Sequence, residues 1–143
     1  MTLAEVGAAG PVSQGIVESV GLGVVGLARR NGWRLVVLFG SLARAEPARD
    51  ADLAILPDGP PSLLEQGRWQ AELEDLWSPV PVDLLVMTPE RSPVILYRVF
   101  RDGRCLFERE ARLFERERDR AFFLYADSAW FRRQQEEALL GYR

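Results

Sequence analysis

Residues 35–56 read LVVLFGSLARAEPARDADLAIL, and this stretch decides the fold. Residues 35–39 form a continuous apolar run rich in Val and Leu, which predicts a strand buried on both faces. A Gly-Ser pair follows directly at 40–41, and we expect a short helical turn over 42–46, before a proline. A second strand is expected over 52–56, where proline, aspartate and glycine then end it.

Four positions of this chain are candidates for chemistry. Gly40 and Ser41 stand where a strand turns into a helix, a geometry that offers backbone N–H groups and a hydroxyl to an anion, although a plain turn gives the same dipeptide. Asp52 and Asp83 lie in or near strands made otherwise of Val, Leu and Ile. A carboxylate beside buried strands needs a metal, an arginine or N–H donors, the simpler alternative being a strand-edge residue paired with Arg or capping a turn.

Helices and strands alternate around this stretch. Ser13 is the candidate N-cap of a first helix ending near Asn31, where Gly32 stops it. The other expected elements are a helix over 62–77 capped by Ser62, a strand over 82–87, a helix over 89–101, an extended piece over 104–107 and one long or broken helix to Leu140. The order predicts an α/β or α+β fold. We expect one domain, 1–143, with a core over about 13–107 and a C-terminal helical extension over about 108–143.

Composition limits the classes of function. The 143 residues are 48% hydrophobic with a formal net charge of -3, which favours a globular protein and argues against wrapping a long nucleic acid. No stretch has the roughly 20 apolar residues that span a bilayer, and no basic residue precedes Arg29, so neither a membrane span nor a secretory signal is expected. With no His and one cysteine, Cys105, a reducing cytoplasm is indicated, and any metal ligands would be carboxylates, which suit Mg²⁺ or Mn²⁺.

The motif resembles that of the minimal nucleotidyltransferases, relatives of the polymerase β superfamily. Their pattern is Gly-Ser, ten residues, Asp, any residue, Asp, with a third acidic residue on a later strand. Gly40 and Ser41 match its opening, Asp52 the first aspartate and Asp83 the third, and residues 44–46 resemble the usual Arg-Gly-Glu with Ala in place of Gly. The tail, aromatic and rich in Arg and Glu, resembles that of the subgroup that acts as antitoxins to HEPN-domain ribonucleases.

The resemblance implies the nucleotidyltransferase fold, a small mixed sheet flanked by helices, and transfer of a nucleotide from ATP with pyrophosphate leaving. It implies that Asp52 and Asp83 are the catalytic, metal-binding residues, that Gly40 and Ser41 bind the triphosphate, and that Mg²⁺ or Mn²⁺ is the cofactor. Arg44 is a weaker candidate for phosphate contact, the alternative being a solvated charge on the helix surface.

One position departs from the pattern, because Ala54 stands where the family has its second aspartate. If the spacing is kept, the site lacks a metal ligand. Asp50 and Asp52 form an Asp-x-Asp pair of their own, which would serve if the loop were two residues shorter; the other interpretation places Asp50 in the loop. Whether the protein is an enzyme therefore stays open.

Two functions follow from the resemblance. The first is an antitoxin that transfers AMP to a HEPN-type partner; the second is a catalytically inactive protein that neutralises its partner by contact, with or without bound nucleotide. A small-molecule nucleotidyltransferase is a third alternative, without an acceptor-binding domain to support it.

The expected C-terminal helix has aromatic residues on two faces. Phe114, Ala121 and Tyr125 share one face, and Phe123 and Trp130 lie nearly opposite, at about 100° per residue. If the first face docks on the core, the second predicts an interface with a partner or with a second copy of the chain. The alternative is a helix that is buried more deeply or broken between the two faces.

Overall fold

The computed structural model describes the backbone of residues 14–141 and the side chains of that range other than those of residues 130–132, 134 and 141. Five helices and four strands alternate along it. They are α1 Gly15–Asn31, β1 Leu35–Phe39, α2 Gly40–Ala43, β2 Ala51–Leu56, α3 Leu63–Trp77, β3 Val82–Val86, α4 Pro93–Arg101, β4 Arg104–Glu108 and α5 Leu113–Gly141. The expected order of elements is confirmed, and α5 is one continuous helix rather than a broken one.

The four strands form one mixed sheet in the order β3-β2-β1-β4. β1 pairs antiparallel with β2 and with β4, while β2 and β3 run parallel. The parallel pair is joined through α3, because parallel neighbours need a crossover connection. This arrangement confirms the expected small mixed sheet flanked by helices.

Helices cover both faces of the sheet. On one face, α1 and α3 pack their apolar residues, with Trp33, Trp69 and Trp77, against Leu38 and Leu53. On the other face, α4 and α5 pack against residues of β1 and β2 that include Leu35, Val37 and Ala54. Residues 35–38 of β1 are fully buried, which confirms the strand predicted to be covered on both faces.

Local signals set most helix ends. Ser62 caps α3 in a capping box, accepting from the Glu65 N–H while the Glu65 carboxylate accepts from the Ser62 N–H. Gly32 ends α1 with a left-handed φ of 70°, as expected from the sequence. Ser13, the expected cap of α1, lies outside the described residues.

Two helix starts differ from the expectation. The helix expected from residue 89 begins at Pro93, because the Ser92 side chain accepts from the Val94 N–H and proline fits the first helical turn. The turn expected over 42–46 is α2, which begins two residues earlier because the positive φ of Gly40 turns the chain directly out of β1.

α5 packs on α4 through its N-terminal half. Tyr125 of α5 stacks on Tyr97 of α4 with ring centroids 4.1 Å apart, and Phe114 lies 5.5 Å from Phe100. Phe123 is 70% exposed. None of the helices in the described range has the length and apolar character needed to cross a membrane.

Candidate nucleotide-binding site

Strand register brings the two predicted aspartates together. In the parallel ladder Asp52 of β2 is the direct partner of Asp83 of β3, so both side chains leave the same face of the sheet on neighbouring strands. On its other side Asp52 pairs with Phe39, the last residue of β1, directly before Gly40. The Gly-Ser turn and the two carboxylates therefore meet at one end of the sheet.

Gly40 is required at this turn for two reasons. Its φ is 73°, in the left-handed region that favours glycine. A Cβ at this position would also collide with the carboxylate of Asp52. The backbone of the turn thus lies directly against the Asp52 carboxylate.

Arg44 is held by several polar groups beside this turn. Its Nε lies 3.2 Å from Glu46 Oε2, its Nη2 3.5 Å from Ser41 Oγ and its Nη1 3.7 Å from Asp102 Oδ2. The Arg44 side chain is only 33% exposed. It stands beside the hydroxyl that the resemblance assigns to phosphate.

Asp102 is a further residue at this end of the sheet, outside the sequence motif. Asp102 follows α4 and reaches Arg44 across the end of the sheet, and Arg101 binds the same carboxylate through its Nε at 2.9 Å. No local pattern predicts this contact, since the partners are far apart in the chain. The one local signal is the Asp102-Gly103 pair directly after Arg101.

The carboxyl group of Asp52 has a raised pKa. Its pKa is raised from 3.8 to about 6, first by burial and then by the negative charges of Asp50 and Asp83, against the lowering effect of Arg44. A half-buried acid beside two other acids favours a proton or a cation as counter-charge. The donor set of hard carboxylate oxygens at Asp52 and Asp83 fits one Mg²⁺ or Mn²⁺.

Ala54 lies two residues beyond Asp52 on the same strand face and is fully buried. It belongs to the apolar layer that β1 and β2 share with α4, including Val37, Val99 and Phe100. Its neighbours across the strands are Val37 and Leu85. The place of the second aspartate is therefore closed by packed side chains.

Asp50 lies in the loop before β2 and is exposed. In the part of the chain that the structure describes, His, Cys, Asp and Glu side chains form no group of three or more suited to a metal ion. Asp52 and Asp83 are therefore the pair of carboxylates that the strand register brings together at this end of the sheet.

The sequence matches one known family. Residues 26–112 match the family described as "Polymerase beta, Nucleotidyltransferase", and this range contains the Gly-Ser turn, both aspartates and Ala54. No curated protein matches the chain significantly.

Several solved structures share the fold. One is a toxin–antitoxin crystal structure with AMP-PNP, at a TM-score of 0.70 and 20% identity, covering 84% of this chain and 98% of the other. A second is the tri-AMPylated Shewanella oneidensis HEPN toxin in complex with its MNT antitoxin, at 0.69 and 19%, covering 87% and 98%. A third is the toxin–antitoxin MntA-HepT, at 0.68 and 18%, covering 86% and 98%. Identities this low show a common fold.

Proposed function

The chain belongs to the polymerase beta nucleotidyltransferase family, and from this premise we propose that it binds ATP with Mg²⁺ and neutralises a HEPN-type partner protein by contact. The single observation that carries the nucleotide site is the meeting of Gly40 with Asp52 and Asp83 at one end of the sheet. Gly40 allows the backbone of the turn to lie against Asp52, and in the proposal the paired carboxylates supply the ligands that a metal-bound triphosphate needs.

Each residue of the site has a distinct role in the proposal. The carboxylates of Asp52 and Asp83 hold the cation, which when bound neutralises charge on phosphate oxygens. The Ser41 hydroxyl donates to a phosphate oxygen, and the N–H groups of the turn at Gly40 contribute further donors. Arg44, placed 3.5 Å from Ser41 Oγ, adds a guanidinium that can contact phosphate.

Buried Ala54 favours contact over catalysis. Nucleotidyl transfer in this family depends by resemblance on a further carboxylate at that position, and here the position lies in the apolar layer under α4. A site with two carboxylates can retain a nucleotide while losing much of the charge neutralisation that accelerates transfer.

Slow AMP transfer to the partner is the second candidate function. It is favoured by the retained pair of Asp52 and Asp83, and by the similarity to a structure whose toxin is tri-AMPylated. The two functions share the nucleotide site and the partner, and they differ only in whether a covalent product forms.

The partner assignment rests on the fold and on α5. The similar structures are toxin–antitoxin complexes, one of them with a HEPN toxin. Exposed Phe123 lies on the side of α5 away from Tyr125, where the sequence predicts an interface. The side chain of Trp130, the other residue of that predicted face, lies outside the described side chains.

Calorimetric titration tests nucleotide binding. Wild type should bind ATP in the presence of millimolar Mg²⁺, and Ser41→Ala combined with Asp52→Asn should abolish the heat. The matched control is Asp58→Asn, which removes an exposed acid paired with Arg109 beyond the far end of β2. Absence of wild-type binding, or binding that survives the double substitution, contradicts the site.

Incubation with labelled ATP, Mg²⁺ and the product of an adjacent gene tests the partner and the chemistry together. Co-purification of the two proteins without label on the partner supports neutralisation by contact. Label on the partner that disappears with Asp83→Asn supports AMP transfer instead. If Phe123→Ser leaves co-purification unchanged, the face around Phe123 is not the interface.

A further inference from the structure

A cavity lies at the opposite end of β2 from the aspartates. It has a volume of about 440 Å³, within the range of roughly 300–1,000 Å³ that small-ligand sites occupy. Its apolar lining comes from the ends of β2 and β3 and from α4 and α5, namely Leu56, Met87, Leu96, Phe100, Ala121 and Leu124. Leu56 is four residues from Asp52, so about 13 Å of strand separates this cavity from the nucleotide site.

Two exposed arginines from different elements line the cavity and define what we call its mouth. Arg91 comes from the loop before α4 and Arg120 from α5. Arg91 donates its Nε to the Val86 carbonyl oxygen at 3.0 Å, which fixes the base of its guanidinium and leaves the outer nitrogens available. Among the described side chains, no carboxylate lies within 4.0 Å of either guanidinium, although ion pairs are common elsewhere on the surface.

Two glutamates also stand at the mouth, and they limit the class of ligand. Glu90 accepts a hydrogen bond from the Thr88 hydroxyl, which lowers its pKa and keeps it ionised, and Glu117 lies one turn from Arg120 on α5. Two positive and two negative groups give no net attraction for a polyanion such as a nucleotide. Selection of a single carboxylate therefore rests on hydrogen bonds rather than on net charge. The two guanidinium groups have no described carboxylate within 4.0 Å and can share one ligand carboxylate, whereas Glu90 already accepts a hydrogen bond from Thr88. The body of the ligand then fills the apolar interior.

We infer that this cavity binds a small monocarboxylate with an apolar body, of which a medium-chain fatty acid is the simplest representative. The alkyl chain lies between Leu56, Phe100 and Leu124, and the carboxylate faces Arg91 and Arg120. The inference stands apart from nucleotide binding, because none of the residues of the Gly-Ser turn or the aspartate pair lines the cavity.

Titration with decanoate, followed by calorimetry and by NMR shifts of cavity residues, tests the inference. Decanoate should bind wild type, and decylamine, with a similar body and the opposite charge, should bind at least about tenfold more weakly. Arg91→Glu and Arg120→Glu should each lower decanoate affinity by about tenfold, because each replaces a guanidinium that attracts the ligand carboxylate with a carboxylate that repels it. Arg118→Glu is the matched control on α5, as Arg118 does not line the cavity, and it should leave the affinity unchanged.

Leu124→Trp provides a variant that blocks the cavity from its exposed rim, so that the test does not depend on charge alone. Circular dichroism and thermal unfolding establish that each variant is folded. The inference is overturned if wild type does not bind decanoate, if decylamine binds as tightly, if Arg118→Glu has the same effect, or if Leu124→Trp leaves binding intact. It is also overturned if cavity variants impair only binding to a partner protein, which would make this region a protein interface.

Discussion

Asp52 and Ala54 leave the same face of β2, two residues apart, yet their surroundings are opposite. Asp52 is half-buried beside Asp83, Asp50 and Arg44, and the pKa of its carboxyl is raised to about 6. Ala54 is fully buried in the apolar layer beneath α4. More than one side chain is therefore changed by the absence of the second aspartate, because the space around position 54 is part of the core.

Ala54→Asp should have the largest effect. The new carboxylate would be buried among apolar side chains without a partner, and we expect a loss of about 3 kcal/mol or more in the free energy of unfolding, measured by urea denaturation in EDTA. The sequence alone suggests instead that this substitution restores a metal ligand and raises nucleotidyl transfer.

Ala54→Asn is the control, since it adds the same volume without the charge and should cost less at pH 8. If Ala54→Asp is as stable as wild type and transfers AMP rapidly, the comparison between the two positions fails. If it is unstable in EDTA but Mg²⁺ restores its stability, the position is closed by packing yet still within reach of the metal.

Gly40→Ala should have the next largest effect, at the polar end of the comparison. It combines a positive φ with a collision against the Asp52 carboxylate, and we expect a loss of about 2 kcal/mol in stability together with a loss of ATP binding. Gly32→Ala is the matched control, because Gly32 has φ 70° but no described atom near its would-be Cβ. A cost no greater at Gly40 than at Gly32 would mean that the turn does not press on Asp52.

Asp52→Asn should stabilise the metal-free protein, in contrast to Ala54→Asp. Because the folded-state pKa of Asp52 is raised from 3.8 to about 6, the folded state binds a proton more tightly than the unfolded state. Stability therefore falls as pH rises from about 4 to about 6 and stays lower above that range. At roughly 1.4 kcal/mol per pKa unit, discounted for partial exposure, the substitution should add about 1–2 kcal/mol at pH 8 and little at pH 4.

Urea denaturation in EDTA at the two pH values measures this. Asp58→Asn is a control of opposite sign, because Arg109 lowers the pKa of Asp58, so its ionised form is favoured by folding and its loss should weaken stability at pH 8. Mg²⁺ should remove the advantage of Asp52→Asn by stabilising wild type alone. An Asp52→Asn variant that is less stable than wild type at pH 8 in EDTA would contradict the repulsion described here.

Much of the fold was predictable because its signals are local. The apolar run of β1, the cap at Ser62 and the glycine after α1 each depend on a few neighbouring residues, and all three predictions are confirmed. The expected family is confirmed by the match over residues 26–112. It was predictable because the motif at residues 40–52 has a fixed spacing. The predicted start of α4 was wrong. It was placed at Pro89, whereas the side chain that caps the helix belongs to Ser92.

The environment of the site was less predictable because it depends on packing between distant elements. The sequence places Ala54 on the face of Asp52, but only the position of α4 shows that the alanine is sealed. The contact between Arg44 and Asp102 likewise needs the α4–β4 turn to reach the end of β1. The roles of Asp52, Asp83, Ser41 and Arg44 in binding or catalysis stay predictions.

Asp102→Asn should have the smallest effect on stability. It tests whether ATP binding at the polar end of β2 depends on the position in which Asp102 holds Arg44. Asp102 lies 3.7 Å from Arg44 and is 34% exposed, so the free energy of unfolding should change by less than about 1 kcal/mol. ATP affinity in Mg²⁺ should nevertheless fall, by about two- to fivefold, because the guanidinium loses one of the carboxylates that hold it beside Ser41.

A double-mutant cycle with Arg44→Ala separates this effect from a general loss of charge. Once Arg44 is absent, Asp102→Asn should have no further effect on ATP affinity. Equal losses in the presence and absence of Arg44 would mean that Asp102 acts independently of Arg44, and a gain in affinity would mean that its charge repels the phosphates.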